Sequence, residues 1–241
     1  MKRNSVSVLS IFTLYIVTIA SQLANILYQA YADQSPILPM LLPSIMFLTL
    51  LTVPAIIIGF RLGPELGLSI FHSHRSCNDT EKRTALIFTL TSSVLLGILL
   101  LVLRWVLLPY LPETIPDYGF RGFIGGTLVS IGAAVGEEVW FRFGLMTVVL
   151  WLVKKVFKLD LISATLALTV IIIIAFLFGL AHLPQLTSVG ADTQFAIWAT
   201  ILGNVAVGSL YGWCFWRYGL LYAIIVHFSL DIVLHALPAL F

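Results

Sequence analysis

The chain has 241 residues, of which 60% are hydrophobic and only 10% are charged. A soluble globular domain carries about 25% charged residues, so this chain has too few charges to cover a water-facing surface. The 13 Lys and Arg residues nearly balance the 11 Asp and Glu residues, which argues against a nucleic-acid partner. The two cysteines are too few for a disulfide or zinc-ribbon framework. The composition indicates an integral membrane protein whose surroundings are the lipid bilayer.

Long charge-free segments predict the first membrane helices. Segment 4–32 follows Lys2 and Arg3 and is much longer than the roughly 7–15 apolar residues of a secretory signal, so we expect an uncleaved anchor although Ala30 to Ala32 resembles a cleavage site. Segment 34–60 contains Pro36, Pro39, Pro43 and Pro54, so its helix is predicted to be kinked or to begin after Pro43. A polar loop over 61–83 then leads to a third span over 84–111.

The second half of the chain supplies the remaining spans. A turn-rich connection over 112–121 precedes the apolar segment 122–153, and further apolar segments cover 161–181, 194–216 and 220–240. If 122–153 is one long tilted helix, the count is seven; a break near Phe143 and Gly144 would give eight. The sequence thus predicts an all-α membrane helix bundle of about seven (7–8) transmembrane helices, forming one domain over 1–241.

Lysine and arginine are concentrated in alternate segments: before the first helix, in the 61–83 loop, over 154–158 and at Arg217. Cytoplasmic connections of membrane proteins are enriched in these residues. We therefore expect a multi-pass protein with a cytoplasmic N-terminus.

Charged residues inside apolar segments are the first candidates for function. A charge at the bilayer centre costs roughly 3 kcal/mol on insertion scales, yet Glu137, Glu138 and Arg142 all lie within one segment. On a helix Glu138 and Arg142 are four residues apart and can pair, whereas Glu137 points about 100° away. A structural ion pair accounts for Glu138 and Arg142, and it leaves Glu137 free for chemistry.

Three histidines provide further candidates. His182 directly follows the segment 161–181, four residues after Phe178, and a lone histidine there is most simply a helix cap. His227 and Asp231 lie four residues apart on the last helix, so that one can orient the other or both can hold a ligand. His235 continues the same stripe and is the one most simply explained as facing a neighbouring helix.

Glycine pairs in two apolar segments and a His and Cys group in the polar loop are weaker patterns. Gly132 and Gly136, and likewise Gly208 and Gly212, have the small-residue spacing that lets membrane helices approach closely. In the polar loop His72, His74 and Cys77 have a spacing that a metal can use, although an exposed loop is the simpler explanation.

The ordered set of motifs resembles one known family. Glu137, Glu138 and Arg142 form E-E-x-x-x-R, Phe178 and His182 form F-x-x-x-H, and His227 and Asp231 form H-x-x-x-Asx. Over roughly 120–235 this set is similar to the CAAX-protease and bacteriocin-processing family of intramembrane peptidases, which includes the type II CAAX prenyl endopeptidases and bacterial immunity proteins. The resemblance implies a peptide or protein substrate and a bacterial plasma membrane location.

The same resemblance assigns roles to the residues. It makes Glu137 the catalytic glutamate and Glu138, Arg142 and Phe178 supporting residues, with His182, His227 and Asp231 completing the site. Many relatives have Asn where this chain has Asp231, and an ionised carboxylate cannot donate a hydrogen bond to an oxyanion. Asp231 is therefore expected to be protonated, to orient His227 or to bind a metal.

The chemistry of peptide hydrolysis fits these side chains in two ways. Glu137 can take a proton from water while His182 and His227 hold the water and stabilise the oxyanion. Alternatively, Glu137, His182, His227 and Asp231 can hold one divalent metal such as zinc, although no H-E-x-x-H pattern is present. We expect the metal-independent site.

Two other functions use the same residues. An ion- or proton-coupled transporter also needs buried ionisable groups in a wet cavity, but the sequence has no internal repeat of the kind that builds many transporters. A non-catalytic immunity protein that retains a peptidase-like site is the second alternative.

Overall fold

The structure is a computed structural model that describes residues 8–71 and 78–241. Within those ranges the chain is helical and contains no strand. The α-helices in chain order are α1 (Val8–Ala32), α2 (Ile37–Leu66), α3 (Asp79–Leu107), α4 (Gly122–Glu137), α5 (Thr147–Val156), α6 (Ala164–Ala181), α7 (Leu183–Ser188), α8 (Gln194–Tyr218) and α9 (Leu220–Asp231). Two π-helical segments, Glu138–Met146 and Ile232–Ala236, continue α4 and α9.

The predicted membrane bundle is confirmed. Six helices are long and apolar enough to cross a membrane: α1, α2, α3, α6 with its short extension α7, α8 and α9. A seventh long helix in the described part of the chain is the continuous run from α4 through the first π-helical segment to α5. This seventh helix carries Glu137, Glu138 and Arg142.

The alternative break near Phe143 and Gly144 is wrong, because the helix continues through both residues in a π-helical turn. The wider turn is closed by Thr147, whose hydroxyl donates to the carbonyl oxygen of Arg142 over 3.1 Å. Gly144 has a packing role instead: a Cβ there would lie 2.7 Å from the Cβ of Ala55 on α2. The fourth helix is therefore one continuous element, and the chain does not turn back near Phe143 and Gly144.

Helix α2 is longer than the sequence predicted. It begins at Ile37, before Pro43, so a start after Pro43 is wrong, and it continues past Arg61 to Leu66. Prolines are tolerated inside membrane helices because neighbouring groups satisfy the freed backbone carbonyls.

The end of α2 is held by α5. Glu65 is 3.0 Å from the Nζ of Lys155 and accepts a hydrogen bond from the indole of Trp151 over 3.2 Å. Lys154 donates to the backbone carbonyl of Glu65 over 3.0 Å. These contacts fasten the fourth helix to α2 at one membrane face.

Glycines let the helices around the site approach closely, as their spacing predicted. Gly132 and Gly136 face α1, where the Gln22 amide donates to the carbonyl oxygen of Gly132 over 2.7 Å. Gly208 and Gly212 face α6, and Cβ atoms at these positions would lie 3.1 Å from Ala175 and 2.9 Å from Ile171. Larger residues at these four positions would push the helices apart.

A close backbone approach between α4 and the last helix predicts a large effect of one added methyl group. A Cβ at Gly126 would overlap the carbonyl oxygen of His235 and lie 2.6 Å from its carbonyl carbon, and neither backbone atom can move alone. We expect Gly126→Ala to destabilise the protein by about 3 kcal/mol, the upper end for overpacking. Thermal unfolding in detergent measures the change.

Gly203→Ala is the matched control, because nothing lies within 4 Å of a Cβ at Gly203 in α8. That variant is expected to unfold at or slightly above the wild-type temperature, since Ala favours helix more than Gly does. Equal melting temperatures for the two variants would contradict the close approach of α4 to the last helix.

Candidate active site

The predicted pair of Glu138 and Arg142 is formed and is completely buried. Arg142 Nη1 lies 3.1 Å from Glu138 Oε1, and both side chains have 0% exposure. Arg142 also donates from Nη2 to the carbonyl oxygen of Gly208 over 3.1 Å, and its guanidinium lies over the Phe178 ring at 4.6 Å. The pair therefore ties the fourth helix to α6 and α8.

His227 is connected to this pair from the last helix. Its Nδ1 is 2.8 Å from Glu138 Oε1, and its ring stacks on Tyr211 with 4.2 Å between ring centroids and 17° between ring planes. An ionised carboxylate can only accept a hydrogen bond, so Nδ1 carries the proton and donates. The histidine is thereby held in one orientation with Nε2 directed away from Glu138.

Two carboxylates lie on the Nε2 side of His227. Asp231 Oδ2 is 3.4 Å from Nε2, and Glu137 Oε2 is 3.9 Å from it. A bare lone pair on Nε2 would repel two ionised carboxylates, so a proton is required on Nε2 or on one of the acids. The structure thus puts Asp231 where it can orient His227 and share that proton.

Glu137 is the carboxylate that remains outside the internal pair. It ends α4, one residue before the π-helical segment, and its side chain keeps 23% exposure, whereas that of Glu138 keeps none. The two neighbouring acids therefore lie in different environments. Glu138 is part of the packed interior, and Glu137 faces open space.

His182 approaches the same space from α6. The helix ends at Ala181, and the His182 ring packs edge-on against Phe178 with 4.6 Å between ring centroids. Its Nδ1 is 2.8 Å from the carbonyl oxygen of Phe178. Because a carbonyl oxygen only accepts, Nδ1 donates, and Nε2 of a neutral His182 is available as an acceptor.

One cavity of about 700 Å³ brings these side chains together. Glu137, His182, His227 and Asp231 line it, although they come from three helices. The size lies within the range of small-molecule and peptide sites, and most of the wall is apolar. An apolar cavity with a few convergent ionisable groups is the usual form of an active site.

A second, smaller cavity of about 460 Å³ meets the first at Glu137, His182 and Gln185. Its other walls come from α2 and the π-helical segment and are mostly apolar: Phe47, Leu51, Trp140, Phe141 and Leu145. Glu137 and His182 therefore stand between two spaces, and a chain that passes from one to the other would pass both side chains.

Three residues that line the cavity were not predicted as site residues from the sequence. Tyr211 supports the His227 ring, and Asn204 and Gln185 add polar groups to the cavity wall. Tyr211 lies between Gly208 and Gly212, so the small-residue spacing marked its helix face. Nothing in the sequence distinguishes Asn204 and Gln185 from ordinary polar residues of a helix.

His235 was expected to face a neighbouring helix, and it lies in the cavity wall with its ring 5.9 Å from that of Tyr118. The possible metal ligands His72, His74 and Cys77 lie outside the described residues. In the described ranges no three His, Cys, Asp or Glu side chains are arranged to hold a metal ion.

Comparison with known proteins identifies a family for the second half of the chain. Residues 118–233 match the family described as Type II CAAX prenyl endopeptidase Rce1-like. No curated protein and no solved structure matches the chain significantly. The matched region contains the fourth helix and α6 to α9 up to Asp231, and thus every residue of the candidate site.

Proposed function

Because residues 118–233 form a domain of the Rce1-like type II CAAX prenyl endopeptidase family, we propose that this chain is an intramembrane endopeptidase that hydrolyses a peptide bond near or within the membrane. The observation that carries the proposal is the convergence of Glu137, His182, His227 and Asp231 on one cavity. Glu138 and Arg142 are occupied with each other, so of the two adjacent glutamates Glu137 is the one available to react.

Glu137 serves as the general base in this proposal. It takes a proton from a water molecule, and the water oxygen forms a bond to the carbonyl carbon of the substrate. Collapse of the tetrahedral intermediate breaks the carbon–nitrogen bond, and the proton held by Glu137 passes to the leaving amine. The products are a free carboxylate and a free amine, and Glu137 returns to its starting state.

The two histidines bind the oxygen atoms of the oxyanion and of the attacking water. When Nε2 of His227 is protonated, its N–H can donate to the developing oxyanion. The ring is then positively charged, and Glu138 stabilises that charge by accepting the Nδ1 proton over 2.8 Å. Neutral His182 accepts a hydrogen bond from the attacking water through Nε2. Asp231, 3.4 Å from Nε2 of His227, keeps the proton on the cavity side of the ring.

The proposal is tested with purified protein in liposomes that contain a library of membrane-anchored peptides in ¹⁸O-water. Hydrolysis places one ¹⁸O atom in the new carboxylate of the product, which mass spectrometry detects together with the cleavage site. Glu137→Ala protein in the same liposomes is the control. Absence of any ¹⁸O-labelled product with wild-type protein across the library would contradict the proposed activity.

Turnover is expected to continue in a strong chelator. In the described part of the chain no three His, Cys, Asp or Glu side chains converge as a metal-ligand set. Stripping a catalytic metal stops a metallopeptidase, whereas a glutamate and histidine site is indifferent. Loss of hydrolysis in chelator with recovery on adding Zn²⁺ would overturn this expectation, and chelator presaturated with Zn²⁺ is the matched control.

A further inference from the structure

We propose that Tyr211 is a further catalytic residue of this site, whose hydroxyl group donates a hydrogen bond to the oxyanion that forms when water attacks the substrate carbonyl. The proposal rests on the proposed peptidase function, because it assigns one more group to the same reaction. Tyr211 is a buried residue of α8 whose ring lies against that of His227, and it lines the cavity that contains Glu137.

The ring of Tyr211 is held by three neighbours. It lies almost parallel to the His227 ring, with 4.2 Å between ring centroids and 17° between ring planes. The Phe178 ring packs edge-on with 6.5 Å between centroids, and the Arg142 guanidinium lies 5.4 Å from the centre of the tyrosine ring. A donor that is fixed in this way before the reaction needs no reorganisation when negative charge develops.

The hydroxyl of Tyr211 is directed into the cavity and has no hydrogen-bond partner in the described part of the chain. The residue is only 1% exposed, and a buried tyrosine hydroxyl usually finds a partner. Within the described ranges, the side-chain atoms that lack both a hydrogen bond and contact with open space belong to Asn25, Glu138 and Arg142. The Tyr211 oxygen is not one of them, so it opens into the cavity that its side chain lines.

The reaction needs a donor at this place. The oxyanion of peptide hydrolysis is stabilised by preorganised hydrogen-bond donors, and His227 Nε2 supplies one when it is protonated. Asp231, 3.4 Å from that nitrogen, cannot donate while it is ionised. Asn204 of the same helix donates its amide to the carbonyl oxygen of Thr200 over 2.9 Å. The Tyr211 hydroxyl belongs to the ring that lies against His227, so it supplies a second donor beside the first.

Support of the His227 ring does not explain the hydroxyl. A phenylalanine ring would stack on the imidazole in the same way, and it would not bring an unpaired polar group into a mostly apolar wall. The two parts of the side chain therefore have separate roles. The ring positions His227, and the hydroxyl contacts the substrate oxygen.

Tyr211→Phe tests the role of the hydroxyl, because it removes the oxygen and keeps the ring. With a peptide that the wild-type protein cleaves, we expect kcat to fall by about 10²-fold, the effect of losing one oxyanion donor. KM and the melting temperature should stay close to those of the wild type, since the packing against His227 is retained. Tyr28→Phe is the matched control: Tyr28 is partly buried in α1 and lines neither cavity, and its variant should hydrolyse the peptide like the wild type.

Two uncleavable analogues of the same peptide separate oxyanion contact from substrate binding. A phosphinate in place of the cleaved amide mimics the charged tetrahedral intermediate, whereas an alkene isostere has no oxygen at that position. We expect Tyr211→Phe to weaken binding of the phosphinate by about the factor lost in kcat, and to leave binding of the alkene unchanged. Equal weakening of both analogues would overturn the proposal, because the hydroxyl would then bind another part of the peptide.

Other results would also overturn it. Wild-type kcat in the Tyr211→Phe protein would restrict Tyr211 to supporting the His227 ring, and a lower kcat with unchanged phosphinate affinity would show that the hydroxyl does not contact the oxyanion. If Tyr211→Phe does not fold, a fluorinated tyrosine at this position replaces it. The more acidic hydroxyl should then bind the phosphinate more tightly, and unchanged affinity would overturn the proposal. A wild-type protein that forms no ¹⁸O-labelled product contradicts the proposed function itself, and Tyr211 then loses this role with it.

Discussion

Replacing Glu137 with glutamine is expected to abolish peptide hydrolysis and to leave the folded protein intact. The amide has the shape of the carboxylate but cannot take a proton from water, and loss of a general base typically lowers the rate by about 10²- to 10⁴-fold. The fold should tolerate the change because Glu137 is outside the buried ion pair and retains 23% exposure in the cavity. The rate of ¹⁸O-labelled product formation, measured on protein of matched melting temperature, tests this expectation.

Glu113→Gln is the matched control for the same chemical change, since Glu113 is exposed in the connection before α4 and does not line the cavity. Its hydrolysis is expected to equal that of the wild type. If Glu137 has only a structural role, removing its charge should be neutral or stabilising, and cleavage should persist. Near-wild-type cleavage by the Glu137→Gln protein would therefore remove Glu137 from the catalytic role and favour transport or a non-catalytic function.

The parts of the site that follow local rules could be predicted from the sequence. The spacing of Glu138 and Arg142 places them on one helix face, and the structure has them 3.1 Å apart. The same geometry directs Glu137 elsewhere. The high cost of charge in a bilayer gave a reason for the scattered ionisable residues to converge, and Glu137 and His227 do approach to 3.9 Å.

Contacts between distant segments could not be predicted in this way. The bond from His227 to Glu138 joins residues 89 positions apart, and no local pattern indicates which of two adjacent glutamates receives it. Tyr211 stacks on His227, yet in the sequence it is one aromatic residue among many in an apolar helix. Within the π-helical segment after Glu137, Gly144 packs against Ala55 of α2, and no local pattern indicates that contact.

The second large effect is expected when Arg142 is replaced with alanine. Arg142 has no exposed surface, and its removal leaves the charge of Glu138 buried beside His227 without its guanidinium partner. Breaking a buried ion pair by removing one partner costs about 3–5 kcal/mol, which is a large share of the stability of most domains. We expect a lower melting temperature, a lower yield of monodisperse protein after size-exclusion chromatography, and reduced hydrolysis. Arg61→Ala, at an exposed position in α2, is the control and should change none of these.

A second substitution in the same protein distinguishes the effect of the Glu138 charge on stability from its effect on hydrolysis. Adding Glu138→Gln to Arg142→Ala removes the unpaired carboxylate, so part of the lost melting temperature should return. Hydrolysis should not return, because a glutamine at 138 can still accept the Nδ1 proton of His227 but has no negative charge to stabilise positive charge on the ring. Full stability and full hydrolysis in the Arg142→Ala protein would show that the pair is incidental to both folding and function. Recovery of hydrolysis together with stability in the double variant would show instead that Glu138 contributes to folding but does not act on His227.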